Sequence, residues 1–236
     1  VDLLWPEVGD YDGRRALRST LSELRRDLGD ADGLPNVLQV SRATLGLEPD
    51  RVAVDVHELA TAAALARHRD EPPGLRAQLE RAVSLYRGPF LSDLSIADAP
   101  QFETWVVAQR EASHQHMFAV LARLAALQEA MGDRGGGIAT LERWVRLDPL
   151  DEDAHRRLIA AYLTAGDLIA GRRAYDACRT VLATELGVEP SLETRALAER
   201  LQGSAPGTPC RPVGPTPIAG PVLEPPFVGR ATQLVA

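Results

Sequence analysis

The chain has 236 residues, 45% hydrophobic and 25% charged, with 26 basic side chains against 33 acidic ones and a net charge of −7. This is the composition of a globular protein of one or two domains, long enough to bury roughly 70% of its unfolded surface without a disulfide or a metal. Two cysteines make neither a disulfide framework nor a zinc site, no apolar run approaches ~20 residues, and the acidic total excludes a uniformly basic nucleic-acid binder; the expectation is a soluble, cytoplasmic protein that uses no membrane.

From Asp12, which suits an N-cap, to Gly29, which suits the position after a helix end, the sequence predicts one helix. At 100° per residue, Leu17, Leu21, Leu24 and Leu28 fall within about 60° of one another as a single apolar stripe. Arg14, Arg25, Arg18, Ser22, Arg15, Arg26 and Ser19 follow in order along the adjoining arc, while Glu23 and Asp27 take the opposite flank. A solvated helix more often mixes its signs through i, i+4 pairs. Arginine and serine sorted onto one face suit a major groove, where guanidinium forks onto guanine edges or phosphate and hydroxyls reach either. The same pattern also serves a merely solubilising face.

The next stretch alternates. Leu38 and Val40 interleave with Gln39 and Ser41, Ser41-Arg42-Ala43-Thr44 makes a turn, and Leu45 and Leu47 resume the alternation. A helix followed by a hairpin with arginine at its tip is the second half of a winged helix, with Arg42 placed where a narrow minor groove attracts guanidinium.

Residues 55–202 are helical in pattern throughout, with helices expected near 55–69, 74–86, 99–113, 115–131, 135–147, 153–165, 168–186 and 191–202. Gly132-Asp133 recurs as Gly166-Asp167, an offset of 34 residues, the period of tetratricopeptide helix pairs. Leu124 and Leu158, Gly137 and Gly171, Leu141 and Tyr175, and Leu147 and Val181 keep that offset. Gly132 and Gly166 suit tight turns, and the small residues at 137 and 171 suit close helix approach. Repeats of this kind stack into a solenoid that binds other macromolecules.

Residues 203–226 carry eight of the 17 prolines and read as a semi-extended linker. Residues 227–236 form a short stub beyond it. A start at Val1 and a linker with little after it suggest a chain cut at both ends. All 26 basic residues are arginine, which codon bias explains.

Other polar groups have ordinary readings. His114 and His116 point about 200° apart on a helix and cannot share a metal. Cys178 reads as core and Cys210 as an incidental thiol; Trp105 and Trp144 read as buried in the bundle. Asp151-Glu152-Asp153 opens a helix, where acids cap and favour the dipole. Nothing pairs a nucleophile with a positioned base, so neither an enzyme nor a cofactor site is expected.

The motifs together resemble a known family. Leu3-Leu4-Trp5-Pro6 followed by residues 15–28 is similar to the recognition-helix region of the OmpR-type winged helix of SARP-family bacterial activators. Val54-Asp55-Val56 resembles the junction into that family's bacterial transcriptional activation domain. Leu85-Tyr86-Arg87-Gly88-Pro89-Phe90-Leu91, the stretch from Gly132-Asp133 to Leu147-Asp148-Pro149-Leu150-Asp151-Glu152, and Glu185-Leu186-Gly187-Val188-Glu189-Pro190 with Glu193-Thr194-Arg195-Ala196-Leu197 resemble the rest of it. Pro226-Phe227-Val228-Gly229-Arg230 is similar to the entry of the ATPase module of large members, although the lysine of a phosphate-binding loop is absent.

The resemblance implies a mainly α fold, a tetratricopeptide-like helical bundle preceded by a partial winged helix of helix plus β-hairpin. Its divisions are residues 1–54 for the winged-helix part, 55–202 for the activation domain, 203–226 for the linker and 227–236 for the stub. It implies promoter DNA, read as direct repeats, and RNA polymerase as partners of the intact protein, with a homodimer left open. The candidate DNA-binding residues are Arg14, Arg15, Arg18, Ser19, Ser22, Arg25, Arg26 and Arg42. Two alternatives remain: a tetratricopeptide-type interaction module without DNA binding, and the DNA-side portion of a larger signal-transduction ATPase regulator.

Overall fold

The computed structural model describes residues 3–29, 37–41, 44–68 and 70–203. Within them the fold is mainly helical, with eight helices and one two-stranded sheet. The first helix, α1 (Asp10–Asp27), is followed by an antiparallel hairpin of β1 (Leu38–Val40) and β2 (Leu45–Leu47). The helical body comprises α2 (Asp55–Arg67), α3 (Leu75–Leu85), α4 (Pro100–Ala130), α5 (Arg134–Leu147), α6 (Glu152–Ala165), α7 (Leu168–Glu185) and α8 (Leu192–Gly203).

The body is a row of helices packed side by side. α4 packs on α2 and α5, α6 on α5 and α7; α3 closes one end against α2 and α4, and α8 closes the other against α6 and α7. Its core runs continuously from Leu59 and Leu79 through Met117, Leu121 and Leu124 to Trp144 and Leu158.

The repeat seen in the sequence is a repeat of hydrogen bonds. At the α4–α5 turn Gly132 N–H donates to Glu129 O and Asp133 N–H to Gln128 O; at the α6–α7 turn Gly166 donates to Leu163 O and Asp167 to Tyr162 O. Each acceptor and donor is displaced by the same 34 residues. Both glycines have positive φ, +74° and +79°, which only glycine adopts without strain. Asp133 and Asp167 then cap the following helices, accepting from Gly136 N and Ala170 N at 3.0 and 2.9 Å. Close approach is tight at Gly171, where a methyl group would lie 2.8 Å from Leu201 of α8, and ordinary at Gly137, whose nearest neighbour would be 3.9 Å away.

Three local expectations differ from the structure. Asp12 is not the N-cap of α1: the helix starts at Asp10 after Gly9, whose carbonyl accepts from Gly13 N, because neither glycine nor proline interrupts Asp10-Tyr11-Asp12. The helices expected at 99–113 and 115–131 are one 31-residue helix, since Ser113-His114-Gln115 contains no breaker. Trp105 is 37% exposed rather than buried; it lies near the start of α4 and meets Phe90 edge-on, with centroids 5.6 Å apart.

Trp144 and Cys178 are buried as expected, at 5% and 0% exposure. Burial is also the main reason the Cys178 thiol is pushed up to about 11, with the Glu152 carboxylate adding to it. The His114 ring meets Phe118 at a tilt of 58° with centroids 4.1 Å apart, and burial, aided by Arg67, holds His116 below the usual imidazole value. Cys210 and the expected linker at 203–226 lie outside the described residues, apart from Gly203 at the end of α8.

Candidate nucleic-acid interface

α1 forms because Arg, Leu and Ala dominate its middle and no proline follows Pro6 until its end. It stops at Gly29, whose φ is +72° and whose N–H reaches back to Arg26 O at 3.1 Å. Arg25 and Arg26 occupy its last turn, where cations complement the helix dipole.

The arc predicted from the helical wheel is solvent-facing. Arg14, Arg15, Arg18, Ser19, Ser22, Arg25 and Arg26 are all exposed. Arg26 Nε stands 3.7 Å from Asp27 with both side chains over 70% exposed, and such a loose pair holds neither charge strongly. The apolar stripe is less covered than its sequence suggests: Leu17 and Leu21 are half-buried, while Leu24 and Leu28 are 39% and 45% exposed. α1 has no substantial packing partner among the described helices and strands.

What anchors this region is the segment before the helix. Leu3 and Leu4, with Ile96, pack against Ala99, Phe102 and Val106 at the start of α4. The basic helix therefore leaves the helical body at a fixed point.

The hairpin register pairs Leu38 with Leu47, Gln39 with Gly46 and Val40 with Leu45. Its turn is closed by Ser41 N–H donating to Thr44 O at 2.9 Å and Thr44 N–H donating to Ser41 Oγ at 2.9 Å. Arg42, the expected tip residue, lies outside the described residues. Cross-strand partners share a face, so Leu38, Val40, Leu45 and Leu47 are together; Leu38 is buried and the other three are over 40% exposed.

An open groove brings the hairpin and α1 together. Arg25 of α1 lines it with Leu38 to Ser41, Thr44 to Gly46, and the Glu48, Asp50 and Arg51 of the turn that follows. Of the predicted residues, Arg25 alone among those described shares this groove; the others stand on the open arc. Arg51 is an addition that the sequence reading missed. Its only local signal was an arginine after Glu48-Pro49-Asp50, with no periodicity to mark it.

Comparison with known proteins settles the family. A model of the bacterial transcriptional activator domain matches residues 38–202. The chain belongs to this family. Transcriptional regulatory protein MoaR1 of Mycobacterium tuberculosis is 28% identical over 217 residues, covering 85% of this chain and 64% of that protein. Transcriptional regulatory protein EmbR of Mycobacterium tuberculosis is 29% identical over 211 residues, covering 85% of this chain and 51% of EmbR. A solved structure of Mycobacterium tuberculosis EmbR, in complex with a low affinity phosphopeptide, superposes with a TM-score of 0.57 at 28% identity, covering 88% of this chain and 54% of that one. This bacterial activator-domain chain, of the SARP type, thus spans about half to two thirds of the length of these relatives, both transcriptional regulatory proteins. No described helix is long and apolar enough to cross a membrane, and no described trio of His, Cys, Asp or Glu is grouped to hold a metal.

Proposed function

We propose that this chain is the DNA-side and activating part of a bacterial transcription activator. In this reading residues 1–54 contribute the recognition helix and wing of a winged helix, residues 55–202 the helical activation domain that contacts RNA polymerase, residues 203–226 a linker and residues 227–236 the start of a further module. The observation that carries it is the arc of five arginines and two serines on α1, exposed along its whole length in a member of a transcriptional activator family. Arg14, Arg15, Arg18, Arg25 and Arg26 supply phosphate and guanine contacts, Ser19 and Ser22 hydroxyl contacts, and Arg42 a minor-groove contact; Arg51, beside Arg25 in one groove, extends the set.

The test is a titration of the chain against promoter DNA by mobility shift or fluorescence anisotropy across a salt series. Arg18→Ala and Arg25→Ala are each expected to weaken binding and to reduce the slope of log K against log salt by about 1. Unchanged affinity and slope in both variants would remove α1 from the interface.

A second reading is supported by the exposed leucines of α1 and the hairpin, which leave the basic helix with little behind it. In that reading the chain acts as a protein interaction module, and no saturable shift of DNA appears even at low salt. The relatives' greater length supports the related view that the chain is the DNA-side portion of a larger regulator, which the reading frame beyond Ala236 would decide by the presence of a phosphate-binding loop.

A further inference from the structure

Between the first turns of α2, the end of α3 and the middle of α4 lies a cleft of about 360 Å³. That is within the range of small-molecule sites, roughly 300–1,000 Å³. Leu59, Leu85 and Ser113 line its inner part, the segment from Tyr86 to Asp93 forms one wall, and the exposed Asp55, Asp93 and Arg87 stand at its rim.

Ser113 is the unusual residue. It is 8% exposed, and its hydroxyl has no hydrogen-bond partner among the described residues. Thr61, Thr104, Thr164 and Thr180, also on helices, each donate to the carbonyl four residues back. A helical serine has the same option, yet Ser113 faces the cleft instead. The Ser113 hydroxyl is open to the cleft rather than sealed in the core, and a group entering the cleft can bond it there.

The wall opposite is held in place. Arg110 of α4 donates to Phe90 O at 2.8 Å and to Leu91 O at 2.7 Å, and Arg143 of α5 donates to Val83 O at 2.7 Å and Tyr86 O at 2.9 Å. These bonds keep Leu91 at a φ of +46°, a conformation a leucine rarely adopts unaided. The cleft is preformed, and a ligand entering it orders little.

The rim selects charge. Two carboxylates stand there against one guanidinium, and neither Asp55 nor Asp93 is in an ion pair among the described residues; Asp55 spends one oxygen on Val56 N–H at 2.8 Å. We propose that this cleft is a binding site for a small hydroxylated organic amine: its apolar body lies against Val56, Leu59 and Leu85, its hydroxyl bonds Ser113, and its ammonium meets Asp55 and Asp93. The site stands independently of the DNA reading.

The probe is tyramine, titrated into the 236-residue chain by calorimetry or NMR, beside tyrosol, 4-hydroxyphenylacetate and phenethylamine. Saturable tyramine binding is expected, at least fivefold tighter than tyrosol or phenethylamine and tenfold tighter than the acid. Ser113→Leu, which fills the inner part of the cleft, is expected to abolish binding. Asp93→Asn, exposed and outside the core, is expected to keep the melting temperature and weaken tyramine threefold or more while leaving tyrosol unchanged; it carries the test if Ser113→Leu does not fold. Absence of saturable tyramine binding, equal affinity for cation and anion, or tyramine binding untouched by Asp93→Asn would overturn the proposal.

Discussion

Glu152 of α6 holds the last helix of the fold in place, and Glu152→Gln measures how firmly. Its Oε1 accepts from Ser191 N–H at 2.7 Å and from Thr194 Oγ1–H at 2.6 Å, and Thr194 is 0% exposed. Burial by itself would raise the Glu152 carboxyl; the bonds from Ser191 and Thr194, with Arg156 nearby, outweigh it and hold the group below the ordinary carboxylate value. Bonds to a charged acceptor contribute about 1.5–3 kcal/mol each against about 0.5–1.5 for neutral ones, so losing the charge while keeping the shape costs about 1–2 kcal/mol once partial exposure is allowed for. For a domain of this size that lowers the melting temperature by roughly 2–8 °C at pH 7. A folded-state pKa below the unfolded one gives stability that is fully present above the unfolded value, near pH 4.5, and is lost as pH falls through the folded value. Circular-dichroism melts of wild type and Glu152→Gln should therefore differ at pH 7 and converge on acidification. A gap that is absent at pH 7, or that persists unchanged at the lowest pH where both fold, would refute the reasoning.

Three further outcomes follow from the same structure. Leu79→Ala, at a fully buried site between α2 and α4, should cost about 2–5 kcal/mol in urea unfolding with an unchanged m-value. Asp151→Ala removes the cap that accepts from Asp153 N and Ala154 N and should cost about 1 kcal/mol by the same assay. In a Cys210→Ser background, Cys178, buried and with its thiol pushed up to about 11, should react with a thiol reagent at pH 8 no faster than the chain unfolds, and at once in denaturant; fast labelling of the native protein would contradict its placement.

The helical body was largely legible because its signals are local. The Gly-Asp turns at 132–133 and 166–167 carry their own conformational requirement and their own caps, so a pattern of two letters predicts three hydrogen bonds at each turn region. The continuous α4 reads as two helices because the polar run Ser113-His114-Gln115-His116 interrupts its apolar pattern, yet Val106, Met117, Val120, Leu121 and Leu124 share one buried face along it. The Glu152 buttress was read only as a helix-opening acid. Its partners are 39 and 42 residues away, a separation no local pattern reports. Ser113 was invisible for a related reason, since a serine inside a helix has significance only through the bond it fails to make.

The basic face of α1 was legible as charge but not as mechanics. A helix of 18 residues gains little stability from propensity alone and is normally fixed by burying its apolar stripe, yet Leu24 and Leu28 remain substantially exposed. Its orientation instead depends on Leu3 and Leu4 seated on Phe102 and Val106 of α4. In the proposed function this contact gives the helical body a direct hold on the DNA-contacting helix: α4 fixes where the arginine arc starts, and the groove shared by Arg25 and the hairpin fixes where it ends. In that proposed function a net charge of −7 favours selective contact, because an acidic total disfavours phosphate away from the basic arc whose position α4 sets.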